Sequence, residues 1–493
     1  MKIVIRGGKP SIAQAFSKKF SRKATQSPHF KPAALARAIA GVFVCGALAG
    51  ASGQARCDEP PIEEEYLNDI GATVLLEGGA TENAYGLEAF ATDLFGIVEN
   101  LGELIIRGGS GNAAHGIKNL MLAGDIYNGI RRYGSPVTAD ANIVIQGGVG
   151  DESYGMGSIA SRDSFTTQNY GTINITGGQG THAVGIQYVL DNTSYESRIH
   201  NYAELHASDV YGITIAGGKG EKAFGIDSVA NGRGSVLKII GDGGVLIQGS
   251  AETQSVYGIN VVSNNAGVVD IDNSGMFTIT GGTADYASGI QSLAKDNGAQ
   301  FSITNNNMLV IKGGAGNGAS GVNCMSCSPD SMAAITNGLG EIRIVGGSNT
   351  RATGMEYLAY GGGKAKIVVD YGQVLIQGGI GAQSFGIATG IYDSIISISE
   401  PVIDNKHGRL TISGGSGLSA QGISSLFVNG GQGLVQNERQ MTITGGSGPD
   451  TKGINAFVNG TGAVGKLSNH GMLLIQGGTG QSAAGIGDRK SVV

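Results

Sequence analysis

Ile173-Asn-Ile-Thr-Gly-Gly-Gln-Gly-Thr-His-Ala-Val-Gly-Ile186 is one copy of a pattern that recurs along the chain and decides its fold. A distant copy reads Leu473-Leu-Ile-Gln-Gly-Gly-Thr-Gly-Gln-Ser-Ala-Ala-Gly-Ile486. Each copy has two apolar residues one position apart, then a Gly-Gly pair, and then a glycine followed by a bulky apolar residue. We take the first glycine of each pair as the anchor of the repeat.

The anchors recur at a period of about 32 residues, which is the signature of a repeat architecture. From the fifth copy onward the spacing stays between 31 and 36 residues, whereas two earlier spacings reach 39 and 40. In the sixth copy Ser250 replaces the second glycine. The thirteen anchors are Gly78, Gly108, Gly147, Gly177, Gly217, Gly249, Gly281, Gly313, Gly346, Gly378, Gly414, Gly445 and Gly477.

The apolar alternation before each anchor predicts a short strand with one buried face. Glycine permits backbone angles that other residues resist, so each pair should mark a tight corner. The glycine and bulky residue that follow indicate a second strand. A third apolar segment, often closing on asparagine as in Phe301–Asn305, precedes the next anchor. We therefore predict an all-β, single-stranded, right-handed parallel β-helix (β-solenoid) of about 13 coils over residues 71–487.

Charge is distributed unevenly along the 493 residues. Residues 1–55 contain nine lysines and arginines and no acidic residue. The remaining 24 basic residues face 39 acidic ones, a formal charge of −15. An acidic body argues against nucleic acid as a partner, because phosphate binding needs clustered basic side chains.

The N-terminal segment has the order of regions expected of a signal peptide. A basic stretch leads into the apolar run 38–49, and small residues follow up to Ala55. We predict an extended signal peptide over 1–55, with an N-terminal anchor as the alternative, and an N-terminal lead-in or cap over 56–70. Residues 488–493 break the repeat and can be the translation of a sequencing adapter, so we predict that they are a non-native tail.

The glycine-rich corners do not match known reactive loops. Phosphate-binding loops lead into a helix, whereas each pair here leads into another strand. Serine follows the pair in some copies, but Val149 and Ile380 occupy the same position in others, so it is not a nucleophile position. The 7 histidines are scattered without metal-ligand spacing and are expected in exposed loops. We predict no catalytic, cofactor-binding or metal-binding residues, and no enzyme activity.

Cys324 and Cys327 form the one local cysteine pair. In an exported protein such a pair is expected to form a small structural disulfide. A redox or metal site and reduced thiols are the alternatives, and the strand–helix setting of a redox motif is missing.

The chain resembles the passenger region of bacterial autotransporters (type V secretion). The resemblance rests on the basic leader, the low cysteine content and repeats such as Asn469-His-Gly-Met-Leu-Leu-Ile-Gln-Gly-Gly478, and it covers residues 1–487. In that family a C-terminal β-barrel lies in the outer membrane and the passenger folds outside. The resemblance therefore implies a passenger truncated before its barrel and located at the cell surface, in the outer membrane or outside the cell.

The function implied by this resemblance is adhesion, with host-surface or matrix glycans or proteins as partners. A polysaccharide-degrading β-helix enzyme and a passive stalk without its functional domain are the alternatives. Because substitutions among the copies make the Gly-Gly corners structural, we expect any activity to lie in the loops between copies, such as 118–142 and 187–212, or in sequence beyond residue 487.

Overall fold

The computed structural model describes most of the repeat region. The described residues are 2–5, 64–68, 73–80, 82–90, 96–120, 124–130, 137, 140–160, 165–191, 196–202, 212–233, 235–250, 254–393 and 401–487. The predicted signal peptide over 1–55 falls outside the described part of the chain except for residues 2–5, and the predicted tail over 488–493 falls outside it entirely.

Every regular element in the described residues is a β-strand, and the strands form three sheets of 14, 13 and 13 strands. Neighbouring strands in each sheet come from successive repeats and run parallel, so the chain winds as a β-solenoid and the predicted fold class is confirmed. Within the part of the chain that is described, there is no helix of the length and apolarity that a bilayer crossing needs.

Each coil contributes one strand to each sheet. Sheet one contains Lys2–Ile5, Thr73–Glu77, Glu103–Arg107, Asn142–Gln146, Thr172–Thr176, Ile213–Ala216, Gly244–Gln248, Met276–Thr280, Met308–Lys312, Glu341–Val345, Gln373–Gln377, Arg409–Ser413, Gln440–Thr444 and Met472–Gln476. Sheet two contains Leu87–Phe90, Ile117–Leu120, Met156–Ala160, Ile186–Asp191, Lys222–Asn231, Ser255–Asn264, Tyr286–Ala294, Gly318–Ser326, Ser348–Tyr360, Ile380–Tyr392, Ser419–Val428, Asp450–Asn459 and Ser482–Ile486. Sheet three contains Glu64–Asn68, Gly96–Asn100, Gly124–Asn128, Phe165–Asn169, Glu196–Asn201, Val236–Gly241, Val268–Asn273, Gln300–Asn305, Met332–Asn337, Lys364–Val369, Pro401–Asn405, Gln432–Asn437 and Val464–Asn469.

The first strand, Lys2–Ile5, lies outside the regular coil pattern, and the second, Glu64–Asn68, begins it. Lys2–Ile5 pairs antiparallel with Thr73–Glu77 at the edge of sheet one, whereas the other described pairings are parallel. Glu64–Asn68, within the predicted lead-in, pairs with Gly96–Asn100 as the first strand of sheet three.

The core is one continuous apolar column inside the three sheets. One coil illustrates it: Leu410 and Ile412 from sheet one, Ile423 and Leu426 from sheet two, and Val435 from sheet three are all buried. The alternating apolar positions that the sequence showed before each anchor thus supply the sheet-one wall of the core. Since each coil buries these residues against the coils above and below, stability is shared between neighbouring coils.

Close stacking is the reason for the Gly-Gly corners. A Cβ on Gly109 would lie 1.8 Å from the carbonyl oxygen of Gly79, and one on Gly379 would lie 1.7 Å from that of Gly347. None of the thirteen anchors is among the glycines with a left-handed φ. The expectation that these glycines serve an unusual backbone angle is therefore wrong at the anchors: they are needed because the backbones of successive coils touch there.

An asparagine ladder closes sheet three. Asn273, Asn305 and Asn337 occupy the same register position, and each Nδ2 donates to the next Oδ1, at 2.7 Å and 2.8 Å. The same amide also donates to backbone carbonyls of the following turn, for example from Asn273 to Met308 at 3.0 Å. The ladder therefore satisfies buried polar groups on both the side chains and the backbone of this corner.

The ladder is interrupted at Gly241 and Val369, which occupy the same register position without an amide. The Oδ1 atoms of Asn273 and Asn405, one coil further on, are buried and have no hydrogen-bond partner. Val369 is fully buried in the core, so there an apolar contact replaces the amide. At Gly241 no side chain takes the place of the missing amide. A Cβ added to Gly241 would have only one atom within 4 Å, Asn273 Oδ1 at 3.4 Å, so there is room for a side chain.

Gly109→Ala should destabilise the first coils by about 3 kcal/mol or more, because its Cβ would overlap a backbone oxygen that cannot move without separating two strands. Gly79→Ala is the matched control, since a Cβ there has no atom within 4 Å. Amide hydrogen exchange over residues 73–120 measures this locally, as solenoid coils can open separately. Equal exchange in both variants would contradict the stacking argument.

Gly241→Asn should raise the free energy of unfolding by about 1–2 kcal/mol. The new amide gives Asn273 Oδ1 its missing donor, and the substitution also removes the flexibility of glycine in the unfolded chain. The urea midpoint of the coils around residue 241 provides the measurement. Gly241→Ala separates the two contributions, and an alanine variant as stable as the asparagine variant would show that the ladder bond contributes nothing.

Candidate functional site

The residue that follows each ladder position lies on the outer corner between sheets three and one. Tyr170, Tyr202 and Asp242 occupy this place in three successive coils. Their backbone N–H groups donate to the carbonyls of Asn128, Asn169 and Asn201 in the coil before, at 2.8, 2.8 and 3.1 Å. These backbone hydrogen bonds position the three residues in one column, one coil apart.

Three rings in this region stack on each other. The ring centroids of Tyr170 and Tyr202 are 4.5 Å apart with an interplanar angle of 8°. The His200 ring lies against Tyr202 at 3.5 Å, and its Nε2 is 2.8 Å from Asp242 Oδ2. We call Tyr170, His200, Tyr202 and Asp242 the aromatic platform.

A small apolar cluster supports the platform from one side. Tyr127 and Ile130 are buried, and Tyr170 packs against them. Tyr202 in turn stacks on Tyr170, so its ring is anchored through a neighbour that is itself fixed. A platform fixed in this way loses little side-chain entropy when a ligand binds, which favours recognition.

The electrostatics of the platform keep both phenols protonated at neutral pH. Burial raises the pKa of Tyr170, and the negative charge of Asp242 raises it further. The pKa of Tyr202 is raised by burial first, then by Tyr170 and Asp242. The Asp242 side chain remains 48% exposed. The platform thus offers ring surface, hydroxyl donors and a carboxylate acceptor within one small area.

Both long insertions of the repeat occur in the sequence directly after residues of this corner. The 39-residue spacing places its insertion after Ile130, and the 40-residue spacing places its insertion after Tyr202. Residues 131–136 and 203–211 lie outside the described part of the chain. The sequence-based hypothesis that loops within 118–142 and 187–212 carry activity stays a prediction. The platform residues His200 and Tyr202 and the supporting residue Tyr127 fall within those ranges.

The described residues hold no group of three or more histidine, cysteine, aspartate or glutamate side chains arranged for a metal ion. Among the corner serines, Ser416 and Ser447 contact each other, with 2.8 Å between their hydroxyl oxygens. His29 and His206 lie outside the described residues.

Sheet two carries two carboxylates that are shielded from solvent, Asp227 partly and Glu356 almost fully. Burial raises the pKa of Asp227 and of Glu356, which is the kind of perturbation expected of a catalytic acid. The register of sheet two places them four coils apart, which corresponds to about 19 Å at one strand spacing per coil. Glycoside hydrolases need carboxylates about 5–10 Å apart, so these two residues cannot act as such a pair.

The predicted cysteine pair lies where sheet two turns toward sheet three. Cys324 and Cys327 are joined by a disulfide bond with their Cα atoms 6.0 Å apart. The Ser292 hydroxyl, on the preceding coil, is 3.1 Å from the Cys327 sulfur. The bridge therefore closes the turn after Gly318–Ser326.

His115 is buried on the outer face of sheet two, contrary to the expectation of exposed loop histidines. Its ring lies 5.2 Å from that of Tyr85 and 4.5 Å from that of Tyr154, and neither ring nitrogen has a hydrogen-bond partner. Only 6% of the residue is exposed. Burial, and then the charge of Lys118, lowers the pKa of His115 from 6.5 to about 4.

His115 should make the N-terminal coils sensitive to acid. Between pH 6.5 and about 4 the unfolded chain binds a proton at His115 that the folded chain does not, so stability falls as pH falls through this window. The full loss is about 3 kcal/mol. Hydrogen exchange over residues 96–160 at pH 7 and pH 4.5, after correction for intrinsic exchange rates, measures it.

His115→Phe should remove most of that pH dependence, because phenylalanine keeps the ring contacts and does not titrate. His470→Phe, at an exposed histidine, is the control. If His115→Phe loses as much stability between pH 7 and pH 4.5 as the wild type does, other groups are responsible for the acid sensitivity.

Known proteins offer no direct parallel for this chain. No family model matches it, and comparison with curated proteins and with solved structures finds no match. The function of this chain is therefore inferred from its own sequence patterns and geometry.

Proposed function

We propose that this protein is a surface-exposed or secreted β-helical passenger that acts in adhesion by binding uncharged, β-linked glycans of host or matrix surfaces, without catalysis. The observation that supports the proposal is the aromatic platform, a stack of two tyrosines and a histidine with a carboxylate beside it. The adhesion role and the exported location also follow from the resemblance to autotransporter passengers.

The chemistry of the platform matches the chemistry of sugars. A β-linked pyranose with equatorial substituents presents C–H groups on its faces and hydroxyls around its edge. Aromatic side chains combine an apolar surface with a polar tip, and tyrosines are common at the centres of binding surfaces. The rings contact the C–H faces of the sugar. The Asp242 carboxylate can accept hydrogen bonds from sugar hydroxyls, and the tyrosine hydroxyls can donate hydrogen bonds to them.

Charge favours an uncharged ligand. The region after residue 55 has a formal charge of −15, and Asp242 places a carboxylate directly beside the rings. Acidic glycans and nucleic acids would be repelled by this field. An uncharged glycan avoids the repulsion, and its binding should change little with salt because no ion pair is formed.

The experiment titrates the full chain with an uncharged N-acetylglucosamine tetramer and, separately, with heparan sulfate. Binding of the tetramer with weak salt dependence is expected. Tyr170→Ala/Tyr202→Ala should weaken it at least about tenfold, the effect of losing roughly 1.4 kcal/mol of contact energy. Asp242→Asn keeps the rings and should weaken binding less.

Tyr371→Ala is the matched control, because Tyr371 is 60% exposed and lies outside the platform. Hydrogen exchange over 165–202 establishes that the platform variants remain folded. No binding of the tetramer by the wild type, or binding that the platform variants leave unchanged, would refute the proposal.

A further inference from the structure

A second cluster of tyrosines lies at the opposite edge of sheet three, where sheet two turns into it. Tyr360 and Tyr392 end the two longest strands, Ser348–Tyr360 and Ile380–Tyr392. These strands pair in register from Ser348↔Ile380 to Tyr360↔Tyr392. The two tyrosines are therefore adjacent along the rod and are held by the most extended strand pairing of the described chain.

The cluster shares a stacked tyrosine pair with the aromatic platform, whereas its third ring meets the stack edge-on. Tyr360 and Tyr392 stack with centroids 5.2 Å apart and an interplanar angle of 17°. Tyr357 meets Tyr360 edge-on at 5.5 Å, and Asp393 follows Tyr392 as an exposed carboxylate. We call Tyr357, Tyr360, Tyr392 and Asp393 the Tyr360 patch.

The Tyr360 patch is open on its outer side. Tyr360 is 45% exposed although it is a large aromatic residue. The chain continues as Gly361-Gly362-Gly363, and a Cβ on Gly361 would meet only the carbonyl oxygen of Cys327, at 3.9 Å. No side chain of this turn covers the tyrosine.

Neighbouring groups hold the patch in place on both sides. On the preceding coil Cys324 pairs in register with Tyr357, and the disulfide to Cys327 closes that coil's turn. On the following coil the Asn429 side chain donates a hydrogen bond to the Tyr392 hydroxyl at 3.3 Å. Neither partner covers the exposed part of Tyr360.

We propose that the Tyr360 patch is a second binding site for the same class of uncharged, β-linked glycan, so that one rod engages two points of a glycan surface. The inference rests on the proposed function. It is carried by the recurrence of two tyrosines stacked one coil apart with a third ring in contact with one of them. An exposed carboxylate also follows Tyr392 directly in the sequence.

The two sites are suited to bivalent binding. The distance between the sites can be counted along sheet three. The strand that ends just before Tyr202 lies five coils before the strand Lys364–Val369, which begins just after the Tyr360 turn. That separation is about 24 Å along the rod. A short oligosaccharide would occupy one site at a time, whereas a glycan-coated surface would occupy both and be held with a higher avidity.

The experiment is a calorimetric titration of the full chain with the N-acetylglucosamine tetramer. The wild type should bind two tetramers per chain. Tyr360→Ala/Tyr392→Ala and Tyr170→Ala/Tyr202→Ala should each bind one, and Tyr371→Ala should bind two. Tyr360→Phe/Tyr392→Phe keeps the ring stack and should retain the second site with less than about a threefold loss of affinity.

A measurement on the unmodified chain guards against misfolding of the variants. Saturating tetramer should slow amide exchange at residues 357–363 and 390–393. The second site is overturned if the wild type binds one tetramer per chain, the platform variant binds none, and residues 357–363 and 390–393 are not protected. That result leaves the proposed function intact. No binding of the tetramer by the wild type overturns both.

Discussion

Parallel, in-register pairing between successive coils is the constraint on which the rest of this structure depends. It places equivalent residues of neighbouring repeats one strand spacing apart along the rod. Where the backbones come closest, a side chain on the second glycine of a stacked Gly-Gly corner would overlap the carbonyl of the coil before, as the 1.8 Å distance at Gly109 shows. Ser250 is the one side chain at this position among the thirteen corners. The glycine columns are therefore a packing requirement of the stack rather than a local turn preference.

The same pairing makes a buried polar group tolerable. An isolated asparagine in a solenoid core would leave its amide unsatisfied, which costs about 1–3 kcal/mol. In a column, an amide can be both acceptor and donor for its neighbours, as Asn305 shows by accepting from Asn273 and donating to Asn337. Where Gly241 and Val369 interrupt the column, the asparagine on the next coil loses its amide donor, and its side-chain oxygen has no hydrogen-bond partner.

Columns also shape the outer surface. Tyr170 and Tyr202, or Tyr360 and Tyr392, stack only because the coils bring residues from different repeats face to face. A solenoid can in this way assemble a rigid recognition surface from single residues on successive strands, without a deep pocket. Its interior is one continuous apolar cluster, so the polar groups proposed to contact partners lie on the outside.

Much of the fold could be read from the sequence, because its signals are local. Alternation before each anchor specifies strands with one buried face, and the near-constant spacing after Gly217 specifies equivalent coils. The asparagine column was visible only as segments that close on asparagine. Its hydrogen bonds were not, since they join residues that are 32 positions apart, as in Asn273 and Asn305.

The sequence by itself determined the strand type, the repeat and the glycine corners of this protein. Only the tertiary structure decided which side chains meet across coils. The anchors around Tyr202 are 40 residues apart, yet Tyr170 and Tyr202 are in register, because the insertion falls after Tyr202 and not before it. His115 likewise looked like a loop residue until the coil path placed it between two tyrosines. The reason is that local patterns set the conformation of each strand, whereas contacts between columns depend on where each coil absorbs its extra residues.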